Sequence, residues 1–237
     1  EYTQFFGGQA GALTAIQQAV ADLNAIFEPE LAIHFDLVSG TNTVFTDAAS
    51  DGYTNGVTAS MINENTPILN SIIGSANYDI GHVLGTTAAG GQGLAGLGVV
   101  NGVTTKGRGV SLSGDPQGFA WINLVGHEIG HQFNAEHTQN ANQFGSTPGN
   151  RSPGTAYEPA SGSTIMSYAG IADDANGNDN LQNEPDPVFH GASFEEVQTF
   201  VSGFGSENST TTLSNSIPTV DAGVDHSIPA GTPFVLN

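Results

Sequence analysis

The run His127-Glu128-Ile129-Gly130-His131, followed by His137, constrains this chain more than any other stretch. At about 100° per residue, His127 and His131 stand one turn apart on the same helix face, so both rings reach one metal ion. Glu128, one residue on, is rotated to the side, where its carboxylate suits a proton acceptor beside the metal rather than a ligand. His137 lies six residues beyond His131, too far to reach the same ion along a continuing helix. The chain must therefore turn sharply between them. Asn134 is the residue for that turn, because among non-glycine residues Asn most readily enters the left-handed region where helices end. Three neutral imidazoles with an adjacent carboxylate are the donor set of a zinc site, and zinc is the expected ion.

The run is similar to the H-E-x-x-H-x-x-G-x-x-H motif of the metzincin zinc peptidases, with Asn134 where the family has glycine. The family follows that motif with a methionine turn. Ser161-Gly162-Ser163-Thr164-Ile165-Met166-Ser167-Tyr168 matches it, Met166 falling 29 residues after His137. Within the metzincins the chain most resembles the bacterial secreted reprolysin-like (adamalysin-related) peptidases. That likeness rests on Tyr78-Asp79-Ile80-Gly81-His82, Gly93-Leu94-Ala95-Gly96-Leu97-Gly98, Thr155-Ala156-Tyr157-Glu158-Pro159 and the run around Met166, and it spans about residues 1–203.

The resemblance implies an α/β metzincin (zincin-like) catalytic domain. Its expected form is a twisted mixed β-sheet with long helices, an active-site helix, and a small irregular C-terminal subdomain ending in a helix. It implies zinc held by His127, His131 and His137, and hydrolysis of peptide bonds by a zinc-activated water with Glu128 as general base. Met166 is expected as a hydrophobic floor beneath the metal. Tyr168 keeps two readings: in some metzincins this phenol is an extra ligand or a donor to the transition-state oxyanion, and the other reading is a tyrosine packed in the turn wall. The whole is expected to be a secreted, extracellular endopeptidase, made with an N-terminal propeptide and acting as a monomer on protein or peptide substrates. The competing reading is a catalytically inactive zinc-bearing protein-binding module on the same scaffold. Glu128 counts against it, since a purely structural site does not need that carboxylate.

Charge narrows the partners. Twenty-three acidic against three basic residues give a formal charge of −20, which repels nucleic acid and anionic membrane surfaces. Neither a nucleic acid nor a membrane is expected as a partner. Without cysteine there is no disulfide framework and no thiolate ligand. Glu1 in place of an initiator Met is read as a trimmed product, and no run is long enough to span a bilayer.

Taken in order, Leu13, Ile16, Val20, Leu23 and Phe27 predict an amphipathic helix over 9–27, stopped by Pro29, and alternation predicts a strand over 31–38 with His34 as a strand residue. A second helix is expected over 57–73, with Pro67 as a kink or a true start, then a strand over 77–84. The glycine-rich stretch to Gly114 lacks the Lys-Ser/Thr of a phosphate loop. The resemblance places the strand along the cleft within Gly98–Val110, where substrate backbone pairs with it. Asp115-Pro116 predicts the start of the active-site helix, with Phe119, Ile122, Val125, Ile129 and Phe133 as its buried stripe and Trp121 as packing. A long loop follows over 140–163, with Arg151 paired to a carboxylate such as Glu158. Asp173, Asp174, Asn176, Asn178 and Asp179 crowd oxygen donors into a second candidate site, for calcium, though without the bidentate Glu of the hand motif. Ser193 with Glu196 predicts a capped helix over 193–201. The expected domains are 1–205 (catalytic, with an upper subdomain to about 137 and a lower one over about 138–205) and 206–237, a Ser/Thr/Asn-rich linker leading into the start of a truncated β-sandwich-like domain.

Overall fold

The structure, a computed structural model, describes residues 1–38, 40–88, 90–142, 149–172 and 179–204. Within it Glu1–Phe204 form one compact unit. The expected linker and β-sandwich fragment lie outside the described residues.

A short helix, α1 (Tyr2–Phe5), leads into the long α2 (Gln9–Leu31). Pro29 does not stop α2. It forfeits one backbone donor in the last turn, and the burial of Phe27 and Leu31, at 0% and 1% exposed, holds that turn against the core. The segment after it joins no sheet among the described residues. Asn24 of α2 takes the place of a neighbouring strand: Phe35 N donates to its Oδ1 at 2.7 Å, and its Nδ2 donates to Phe35 O at 2.9 Å. His34 is exposed, against Glu28 and Asp36, and is no ligand.

α3 (Thr58–Ile72) carries Pro67 inside it. The sheet follows, with strands β1 (Val83–Thr86), β2 (Gln92–Ala95) and β3 (Gly109–Ser113) in the order β1-β3-β2. β1 runs parallel to β3, with Val83 opposite Val110, and β2 runs antiparallel, with Leu94 opposite Val110. β3 is central, and Gly109 to Leu112 are buried. Val110 and Leu112 join Met61 and Ile62 of α3, while Ser111 turns to His82. The outer strand beside the site is thus β2, not Gly98–Val110, most of which is turn.

α4 (Gly118–Gln132) packs on β2 and β3. Its start is displaced from the expected one: Asp115 is held in a turn with Ser113, and Gln117 is the N-cap. Ile122, Val125, Ile129 and Phe133 are buried with Trp121, whereas Phe119, in the first turn, is 45% exposed. Together with Leu23, Phe27 and Leu31 of α2 and with Ile165, Met166 and Phe189, they form the main core. α5 (Gly191–Ser202) closes the unit. Its cap is His190, whose Nδ1 accepts from Ala192 N at 3.1 Å, because Ser193 is buried inside the helix. An apolar cavity of about 280 Å³ is lined by Leu23, Phe35, His82, Leu84 and Leu112 among others, and His127, His131 and His137 do not line it.

Candidate metal centre

α4 ends in a hydrogen-bonded reversal. Asn134 N donates to His131 O at 2.8 Å and Ala135 N to Gly130 O at 3.0 Å, the paired bonds of a Schellman turn. The residue that enters the left-handed region is Asn134, at φ 76°. The turn throws the chain back so that His137 faces the two imidazoles of the helix.

The three Nε2 atoms converge. They stand 3.1 Å apart for His127 and His131, 3.0 Å for His131 and His137, and 3.2 Å for His127 and His137. The opposite nitrogens are all engaged: Nδ1 of His127 donates to Ile165 O at 2.7 Å, Nδ1 of His131 donates to Ala135 O at 2.7 Å, and Nδ1 of His137 donates to Asn150 O. A carbonyl only accepts, so each Nδ1 carries the ring proton and each Nε2 presents a bare lone pair. Three lone pairs facing one another repel unless a cation sits among them. Tetrahedral zinc with bonds of about 2.0–2.1 Å sets its nitrogen ligands about 3.3 Å apart, close to this spacing.

Electrostatics favours the same state. Burial first, then the neighbouring imidazoles, hold His127 well below the usual histidine range; burial and His137 take His131 down to about 3; burial lowers His137 as well. All three are neutral at pH 7, the form that ligates. The donor set therefore fits a divalent ion, and His127, His131 and His137 are the group among the described residues able to hold one.

Glu128 is 6% exposed, and burial pushes its carboxyl up to about 8. It lies under β2, where Gly93 makes room: a Cβ there would fall 2.1 Å from Glu128 Oε1. Met166 is fully buried below the helix, its sulfur so close to Gly130 that a Cβ on that residue would sit 2.4 Å from it. Tyr168 stacks edge-on against His137, ring centroids 4.8 Å apart, and faces His127 at 6.0 Å. Burial and then the Glu128 charge push its phenol up to about 12, opposed by a hydrogen bond from the Asn150 side chain.

One expectation ends differently. Arg151 does not meet Glu158; its Nε and Nη2 donate to Asn140 Oδ1 at 3.0 and 2.7 Å. Glu158 is filled instead by hydroxyl and backbone donors from Thr138, Ser163 and Thr164. Of the candidate calcium donors, Asp173, Asp174, Asn176 and Asn178 lie outside the described residues, and Asp179 is seen through its carbonyl, which accepts from Ser161 N at 2.8 Å. The backbone carbonyls of Ile165, Ala135 and Asn150 that orient the imidazoles carry no sequence signal, since every residue has one. Gly93 was visible only as part of a glycine-rich run.

The sequence model of the reprolysin-like metallopeptidases of family M12B, Reprolysin_4, matches residues 1–184 and so covers the whole of this site. The chain belongs to that family. No curated protein matches it. Family membership agrees with the mixed α/β architecture and places the converging imidazoles within a metallopeptidase domain. M12B metallopeptidases are zinc-dependent, so a zinc-dependent peptidase is the activity the family implies here.

Proposed function

We propose that the protein is a secreted zinc endopeptidase that cuts internal peptide bonds of protein substrates. The observation that carries this reading is the convergence of three proton-free imidazole nitrogens beside a buried carboxylate. His127, His131 and His137 would hold the metal, which when bound supplies a Lewis acid for the scissile carbonyl and lowers the pKa of water. Glu128 takes the proton of the attacking water on its carboxylate and delivers it to the leaving amine. Tyr168 reaches over His137 and donates its hydroxyl proton to the oxygen on which charge develops. Substrate backbone adds to the outer edge of β2, which brings the bond to be cut past Gly93 and over Glu128. Met166 packs under α4 and stiffens the ligand set. Among the described residues no helix is long and apolar enough to cross a membrane.

Casein cleavage with and without a zinc chelator, beside Glu128→Ala, tests the proposal. Chelation abolishes cleavage, and the variant loses about 10²–10⁴-fold in turnover while keeping its zinc. Equal turnover in the variant would remove Glu128 from the mechanism; zinc binding without any cleavage would favour a binding module.

A further inference from the structure

Two of the three imidazoles ride on α4, whose hydrogen-bonded turns fix them; the third hangs from the segment beyond the Schellman turn. That segment is stitched to the residues around Met166 by Thr138 N donating to Met166 O at 3.1 Å, Glu158 N to Thr138 O at 2.9 Å, and Asn140 N to Glu158 O at 2.8 Å. At the centre of the stitching lies the Glu158 side chain, buried at 6% exposed. Its Oε1 accepts from Thr138 Oγ1 at 2.6 Å and from Thr164 Oγ1. Its Oε2 accepts from Ser163 N at 2.7 Å, Thr164 N at 3.1 Å and Ser163 Oγ at 3.3 Å. Among the described residues no cationic side chain pairs with it. A buried carboxylate without a counter-ion is costly unless donors fill its lone pairs. Among the described residues the donors come from two places: Thr138, next to the third imidazole, and Ser163-Thr164, just before the Met166 turn.

We propose that Glu158 is the positioning residue of the metal centre: its carboxylate grips Thr138 and the Ser163-Thr164 turn together and so sets the His137 imidazole against the pair on α4. The grip reaches a second imidazole too, because Ile165, next to Thr164, supplies the carbonyl that orients His127. Outer groups of this kind hold ligands at the angle the metal needs, and their loss weakens binding without removing a ligand. The inference rests on reading the three imidazoles as metal ligands.

Zinc affinity by chelator competition and the visible spectrum of the cobalt-substituted protein, both read without any peptide, test it on Glu158→Ala and Glu158→Gln. Truncation weakens zinc binding about 10- to 100-fold and alters the cobalt spectrum. Glutamine keeps the shape. It turns its carbonyl oxygen to the two backbone N–H groups and its NH₂ to the threonine hydroxyls, which also accept, so it recovers affinity to within about threefold of the parent. An alanine variant with the parent's affinity and spectrum overturns the proposal, and so does a folded glutamine variant as impaired as alanine. If the alanine variant does not fold, Thr138→Val stands in for it: weaker zinc binding with an altered cobalt spectrum supports the grip, and no change overturns it. A parent protein that binds zinc but cleaves nothing refutes the peptidase reading and leaves the positioning result readable; one that binds no zinc refutes both.

Discussion

Asn134 shows how one residue decides a site. Its left-handed backbone, at φ 76°, swings His137 back to the helix. A side chain branched at Cβ in that region costs about 1–2 kcal/mol, whereas glycine enters it freely. Asn134→Gly should therefore unfold at a urea midpoint within experimental scatter of the parent's or slightly above it. Asn134→Val should lose about 1–2 kcal/mol and hold zinc less tightly, since the reversal is the only route by which His137 reaches the other two. Tyr168 makes a different kind of contribution. Tyr168→Phe keeps the ring against His137 and removes only the hydroxyl, so steady-state kinetics should show a fall of about 10-fold or more in kcat with KM little changed. Unchanged kcat would return Tyr168 to packing alone.

At the scale of elements, the active-site helix and the Met166 turn are fitted to each other. In an exposed helix interior, replacing glycine by alanine stabilises by about 0.5–1 kcal/mol. At Gly130 the new methyl would lie 2.4 Å from the Met166 sulfur, and overpacking of this sort costs about 1–3 kcal/mol. The second effect wins, so Gly130→Ala should lower the melting temperature despite its better helix propensity. Glu158 binds the same turn from the other side. Burial alone would raise its carboxyl, but hydrogen bonds from Thr138, Thr164 and Ser163 together hold it below the ordinary glutamate range. Its folded pKa is thus below its unfolded one, and the stability it lends is present above about pH 4.3 and lost as pH falls through the folded value. Glu158→Gln should flatten the acid limb of a stability profile below that pH.

Across the molecule, His82 couples sheet to active-site helix. Its Nδ1 donates to Gln132 Oε1 at 2.8 Å, because Gln132 Nε2 is committed to Gly81 O, and its Nε2 accepts from Ser111 Oγ at 2.9 Å. Burial takes its pKa down to about 4. Between about pH 6.5 and 4 the unfolded chain binds a proton that the folded chain refuses, so stability should fall as pH drops through that window. A denaturation series at pH 7, 6, 5 and 4 checks this, and His82→Gln should flatten the slope. Metal removal acts on the whole unit as well. An ion bound only by the folded chain at about 1,000 times its dissociation constant adds about 4 kcal/mol, so chelation should lower the melting temperature markedly.

The sequence by itself determined the candidate ligand set, the general-base candidate, the turn at Asn134 and the main helices. Those features follow from spacing along one chain and from the φ preferences of single residues, which are local physics. Helix ends misled where burial outweighed local signals: α2 runs through Pro29 because Leu31 is buried, and α5 is capped by His190 because Ser193 is inside it. Among the described residues the strand expected over 31–38 has no ladder, because a strand is completed by a neighbour, and here the Asn24 side chain stands in for one. Only the tertiary structure decided which strand lies beside Glu128, which carbonyls orient the imidazoles, and what fills Glu158. Each of these is a contact between residues far apart in the chain, and spacing carries no record of it.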